Sequence, residues 1–211
     1  MTARLRKATS GDLGAIVGIK EALRLEPGHQ AERGGFLLGC APERYAQLIE
    51  RANVLLLEEG GEVTGFAVTL ADPLLRASEL WQRRAAISWR AGEGEPAGGE
   101  PIAYFDQLAL RPGSRRRHAP ALAFAAVREL ERAGHAHLYA TILAAPIRNE
   151  AALPLLRVLG TRAVGTVEEH YPEVGPVVSE LHYVPLLDAM AALERTAIGL
   201  RTASATARLA A

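Results

Sequence analysis

Residues Ile102–Ala121, IAYFDQLALRPGSRRRHAPA, decide how the rest of the chain is read. Ile102–Leu110 reads as a strand, and Arg111-Pro112-Gly113-Ser114 supplies turn residues directly after it. From Pro120 to Ala133 an alanine-rich stretch places Leu122, Val127 and Leu130 on one side and stops at Gly134, which predicts a helix with a glycine beyond its end. A junction of strand, turn and helix leaves first-turn N–H groups without partners. The helix dipole adds roughly half a positive charge at the same end, so an anion docks there readily. Arg115, Arg116 and Arg117 bring three cations to this junction, a charge suited to a phosphate-bearing small ligand. The alternative is a solvated turn with no ligand.

Towards the N-terminus, Val54–Glu58 and Val63–Leu70 flank Glu59-Gly60-Gly61-Glu62, the pattern of a β-hairpin. Before it lie a weak strand near residues 3–8, a helix-start signal at Ser10-Gly11-Asp12, and Leu13, Ile16, Ile19 and Leu23 at helical spacing. A polar loop over 26–35 leads to a second helix at Pro42–Ala52, with proline in its first turn. Residues 72–84 predict a further helical turn or two, and 91–100 a loop. Towards the C-terminus, strands are expected at His137–Leu143, Arg162–Glu168 and Ser179–Val184. A helix is expected at Asn149–Leu159 before Gly160, and a helical tail at 186–210. Strands alternating with helices imply an α/β chain: a mixed central sheet of about six to seven strands with helices on both faces. Residues 1–185 are expected to form one domain and 186–211 a helical tail. That tail packs on its own domain or on a second subunit, which leaves a homodimer open.

Composition narrows the function. The 211 residues carry 24 Lys and Arg against 24 Asp and Glu, so the basic excess of a nucleic-acid binder is missing. With 49% hydrophobic residues the chain has material for a buried core. The single cysteine, Cys40, rules out an intrachain disulfide and fits a reducing compartment. The first residues lack a signal-like apolar run, and no uncharged apolar stretch approaches the ~18 residues of a membrane span. The cytoplasm is the expectation, with no membrane partner. His135 and His137 flank a strand start without the spacing of metal ligands, so no metal is expected.

Two segments carry a resemblance. In the GNAT N-acetyltransferases a strand ending in V-x-P precedes R/Q-x-x-G-x-G/A and a helix. Here Leu110 and Pro112 match the first part and Arg115 the R/Q, while His118 and Pro120 occupy the glycine positions. The family also shows N-x-x-A-x-x-L-Y-x-x-x-G-F about thirty residues later. Asn149, Ala152, Leu155 and Gly160 match it, with Leu156 in place of the tyrosine and Thr161 in place of the phenylalanine. The chain thus resembles the GNAT fold from about residue 3 to 185. The resemblance implies acetyl-CoA as co-substrate and a primary amine, of a small molecule or a peptide, as acceptor. It implies that Arg115, Arg116, Arg117, His118, Ala119, Pro120 and Ala121 hold the pyrophosphate, that Leu108, Ala109 and Leu110 meet the pantetheine arm, and that Asn149 and Ala152 lie beside the cofactor. His118 adds bulk where glycine lets a ligand approach. Pro120 removes one N–H donor, a loss of about 1.5–3 kcal/mol if that bond is charge-assisted. These departures leave open a second reading, a GNAT-fold sensing or interaction module that does not catalyse.

Acetyl transfer to an amine needs a group that accepts the amine proton. Asp106 stands inside a strand, where aspartate is disfavoured, and is either a general base or anchor for the substrate amine, or a hydrogen-bonded structural or solvent-facing carboxylate. Tyr104 shares its face and is a half-buried packing ring or a candidate proton donor, since Leu156 has no proton to give. His170 and Tyr171 follow the strand at 162–168 and are candidates to reach the thiolate or the substrate. Phe36, Leu37 and Leu38, apolar residues in the first interhelical loop, either wall the acceptor site or cap the core.

Overall fold

A computed structural model describes residues 3–25, 35–37, 41–95, 99–114, 118–171 and 174–195. The elements run β1 (Ala3–Lys7), α1 (Leu13–Ala22), α2 (Pro42–Arg51), β2 (Asn53–Glu59), β3 (Glu62–Leu70), α3 (Asp72–Arg76), α4 (Glu79–Gln82), β4 (Ile87–Trp89) and β5 (Ile102–Leu110). They continue with α5 (Ala119–Arg132), β6 (His137–Ala145), α6 (Leu153–Leu159), β7 (Arg162–Tyr171), β8 (Gly175–Pro185) and α7 (Leu186–Glu194). The sheet holds eight strands in the order β1-β2-β3-β5-β6-β8-β7-β4. The expected mixed sheet is present, and the count of six to seven is corrected upwards by β4. This strand of three residues pairs with the outer edge of β7, at Ile87↔Val167, Ser88↔Thr166 and Trp89↔Gly165.

Two apolar layers hold the sheet, because the strands are buried on both faces. On one face α5, α6 and α7 cover Leu55, Leu57, Ala67, Ala103, Phe105 and Leu138. On the other, Ile16 and Ile19 of α1 and Tyr45 of α2 cover Val54, Leu56, Phe66, Val68 and Tyr104. Both α2 and α5 begin with proline in the first turn. The helix expected from Asn149 starts at Leu153, after a 3-10 turn over Glu150–Ala152. It ends at Gly160, whose φ of 72° is left-handed. α7 buries Leu186, Ala189, Met190 and Leu193 in the α5 layer, so this part of the tail packs on its own domain. The rest of the predicted tail, from residue 196, lies outside the described residues, as does Cys40. Among the described residues no helix is long and apolar enough to cross a membrane.

Candidate active site

Two features of β5 create the site. Its register with β3 passes from Phe105↔Thr69 to Gln107↔Val68, so Asp106 is an extra residue, a β-bulge. Its parallel register with β6 ends at Phe105↔Ala140, although β5 continues to Leu110 and β6 to Ala145. Beyond that pair no ladder joins β5 to β6. Asp106 and Thr141 are the first residues past the last rung.

The bulge resets which side chains share a face. Ile102 and Tyr104 pack in the α1–α2 layer, and so does Ala109, whereas Leu108 and Leu110 pack with Ala103 and Phe105 in the α5 layer. Gln107 turns to the α1–α2 layer as well, because its Oε1 accepts from the hydroxyl of Tyr45 at 2.6 Å. Gln107 Nε2 in turn donates to Asp106 Oδ2 at 2.9 Å. The chain from Tyr45 through Gln107 therefore aims a donor at the Asp106 carboxylate. Burial pushes the Asp106 carboxyl upward. The Gln107 bond and the charges of Arg44 and Lys20 only partly offset that rise. A carboxyl raised in this way holds a proton more readily than an exposed one.

Tyr104 is 5% exposed, and its hydroxyl is hydrogen-bonded to Thr141 Oγ1. Burial first, then the nearby Asp106 charge, drives its phenol well above the usual tyrosine range, so it stays protonated at neutral pH. Glu169 adds to the same rise. That carboxylate, on β7, pairs with Arg83, and Arg83 Nη1 also donates to the Tyr171 hydroxyl at 3.0 Å. A pocket joins these groups. Tyr104, Thr141, Glu169 and Arg83 line it together with apolar residues of the segment between β3 and β5.

The structure thus brings Tyr104 and Asp106 to one face, and ties Tyr171 to Arg83; neither Asp106 nor Tyr171 is among the residues that line the pocket. His170 does not join them. It lies between Glu169 and Tyr171, so strand alternation turns it to the opposite face, where it is exposed. Phe36 bonds to the end of α1 through Leu23 and Leu25, sits under Lys20 Nζ at 4.8 Å and packs against the core. Leu37 is half-buried beside it, and neither residue lines the pocket. Leu38 lies outside the described residues, as do Arg115, Arg116 and Arg117. His118 caps α5, and its Nε2 stands 3.1 Å from Glu59 Oε1; Ala119, Pro120 and Ala121 form the first turn behind it. Asn149 donates its backbone N–H to Leu143 and accepts on its own carbonyl from Ala152, while its side-chain Oδ1 is buried without a partner. Leu156 is buried and offers no proton.

In the sequence Glu168-Glu169 reads as a pair of strand-end carboxylates that either attract a cationic substrate or are solvated, and Gln107, Thr141 and Arg83 are not named as site residues. Only Gln107, adjacent to an in-strand aspartate, carried a local signal. Among the described residues no group of three His, Cys, Asp or Glu side chains is placed to hold a metal.

No protein-family model matches the chain, and no curated protein matches it in sequence. Its structure is similar to solved N-acetyltransferases. One is the ribosomal-protein-S18-alanine N-acetyltransferase from Escherichia coli, 19% identical, with a TM-score of 0.59 over 88% of this chain and 94% of that one. An N-acetyltransferase from Staphylococcus aureus Mu50 is also 19% identical, with a TM-score of 0.59 over 88% and 99%. Arabidopsis thaliana NAA60, solved in complex with acetyl-CoA, is 17% identical, with a TM-score of 0.61 over 87% and 99%. The bulged β5, its parting from β6 and the eight-stranded mixed sheet thus belong to a chain with the GNAT fold.

Proposed function

We propose that the protein transfers an acetyl group from acetyl-CoA to the nitrogen of a primary amine by direct attack. The observation that carries this reading is the position of Asp106: a bulged, half-buried carboxylate held by Gln107 where β5 and β6 part. Asn149 Oδ1 offers an unused buried acceptor, and the β5 backbone beyond Phe105 has no β6 partner, so both fit an extended amide-bearing ligand. Leu108, Ala109, Leu110 and Asn149 would hold the pantetheine part, with Ala152 beside it. Ala119, Ala121 and the arginines at 115–117 would hold the phosphates.

Acetyl-CoA, when bound, supplies the thioester carbonyl: the amine nitrogen bonds to that carbon, the C–S bond breaks, and the leaving sulfur takes up a proton. Asp106 accepts the amine proton, directly or through one water. Tyr104 acts as a neutral hydrogen-bond donor. Its phenol lies far above the ~8.5 of an ordinary thiol, so full proton transfer to a thiolate would run uphill, and the proton that Asp106 has taken from the amine is the better source, passed to the sulfur directly or through water. Tyr171 is tethered to Arg83, a residue of the pocket lining, and would steady it.

Isothermal titration with acetyl-CoA, followed by a thiol-release assay over a panel of amines, tests the reading. Asp106→Asn should lower turnover by about 10²–10⁴-fold while coenzyme A binding persists. A folded protein that gives no heat with millimolar acetyl-CoA would refute it.

A further inference from the structure

β3 and β5 are neighbours in the sheet, yet the chain does not turn directly from one to the other. Residues 71–101 leave β3, cross the Tyr104 face and reach the far edge, where β4 joins β7. Between this excursion and the sheet lies a cavity of about 90 Å³. Leu75, Leu80, Trp81, Ile87 and Trp89 of the excursion wall it, and Tyr104 and Thr141 lie at its sheet side. Its charged lining side chains are paired with one another: Arg83 with Glu169, and Arg84 with Glu95 at 3.2 Å.

We propose that this cavity receives the body of the acetyl acceptor, and that the acceptor is a primary amine carried on a compact apolar group, with no carboxylate beside the nitrogen. The inference rests on the transferase reading above. Three observations support it. The walls are apolar, so they favour an apolar body and disfavour the ammonium form, leaving the nitrogen as the neutral nucleophile. The arginines are already neutralised, so a substrate carboxylate would have to displace Glu169 or Glu95 or remain unpaired. The volume is smaller than the ~150 Å³ of a cavity that encloses benzene, which suits a branched alkyl chain or the edge of one ring.

The chain has two tryptophans, and both line this cavity, so their emission reports its occupancy without catalysis. The probe is isopentylamine, compared with leucine, which is the same skeleton bearing a carboxylate, and with spermidine. Isopentylamine should shift the emission saturably in the absence of acetyl-CoA. Leucine and spermidine should bind at least about tenfold more weakly, the scale on which a pocket discriminates by one group. Leu80→Trp, which fills the cavity, should weaken isopentylamine by about tenfold or more in calorimetry and leave coenzyme A binding as in the wild type. If coenzyme A binds and another amine is acetylated while isopentylamine gives no shift at millimolar concentration, this inference fails and the transferase reading stands. Equal binding of leucine overturns it too. If isopentylamine binds with the expected selectivity but is not acetylated while another amine is, the cavity is not the acceptor site and the inference fails; if no amine is acetylated, the transferase reading fails.

Discussion

Replacing Gly165 with alanine should unseat the edge of the site. Gly165 sits on β7 opposite Trp89 of β4. A methyl group there would lie 2.9 Å from the Ser88 carbonyl oxygen, 3.1 Å from Ile87 Cγ2 and 3.4 Å from Trp89 Cα. The Ile87 methyl can rotate aside, but the Ser88 carbonyl is backbone and moves only if β4 moves. β4 has three residues and one sheet neighbour, with one further backbone bond nearby, from Arg90 N to Val164 O at 2.9 Å. Overpacking of this kind costs about 1–3 kcal/mol. At roughly 2–4 °C per kcal/mol for a chain of this size, the melting temperature should fall by about 2–12 °C. Calorimetry measures the fall, and urea unfolding should show a lower midpoint with an unchanged slope. Because Trp89 rides on β4, its emission should also move to longer wavelength while far-ultraviolet dichroism is retained. Gly14→Ala is the control: a methyl there meets nothing within 4 Å, on a helix, and should leave stability unchanged or raise it by about 0.4–1 kcal/mol. A Gly165→Ala protein with wild-type melting and wild-type emission would show that β4 does not rest on β7.

Two carboxylates should respond to pH with opposite signs. The Asp12 carboxyl is held well below its usual range, first by the two Arg6 bonds at 2.7 Å and also by Thr9, against its desolvation. Its contribution is therefore present at neutral pH and is lost as pH falls below about 4 towards its folded value. Asp12→Asn should cost about 1–3 kcal/mol at pH 7, a gap that narrows in acid, as read by urea unfolding across pH. Asp106 is raised instead, so the folded state holds its proton more tightly and stability declines as pH rises from about 4 through the folded value. Asp106→Asn should consequently melt no lower than wild type at pH 7, with any gain vanishing below about pH 4, even as it removes turnover. Asn149→Ala deletes a buried acceptor that has no partner. It should leave the melting temperature within about 2 °C of wild type while weakening coenzyme A binding about tenfold in calorimetry, since a lost hydrogen bond is worth about 0.5–1.5 kcal/mol and its unpaired partner more.

The sequence disclosed most of the layer order and little of the register. The hairpin at 54–70 and the strand, turn and helix at 102–133 are visible because turn glycines, helix-start prolines and apolar periodicity act locally. The bulge at Asp106 is not. In IAYFDQLAL a regular strand would put Leu108 and Leu110 on the Tyr104 face, and since both faces of β5 are buried, that pattern is as acceptable as the real one. β4 is three residues long and exists only because β7 offers an edge, a non-local fact. β8 begins earlier than predicted because Pro176 argues locally against a strand, whereas it pairs with His170 near the hairpin end. Glu169 reads as a solvated charge until Arg83, far away in sequence, is seen to reach it.

The bulge and the excursion depend on each other for their effect. Without the extra residue, Gln107 would turn into the α5 layer, away from Tyr45, and Asp106 would lose the amide that orients it. Without the excursion over 71–101, the Tyr104 hydroxyl would face solvent where Leu75, Trp81 and Trp89 now stand, and the desolvation that lifts its phenol would weaken. One device places a carboxylate where two strands part, and the other builds an apolar cavity against the neighbouring Tyr104. Each lies on the same face of the sheet, and a half-buried carboxylate would serve an amine as base only if the amine arrives neutral. On the proposed reading the apolar cavity and the raised carboxyl would act on one proton from both sides: the cavity would loosen it from the nitrogen, and the carboxylate would receive it.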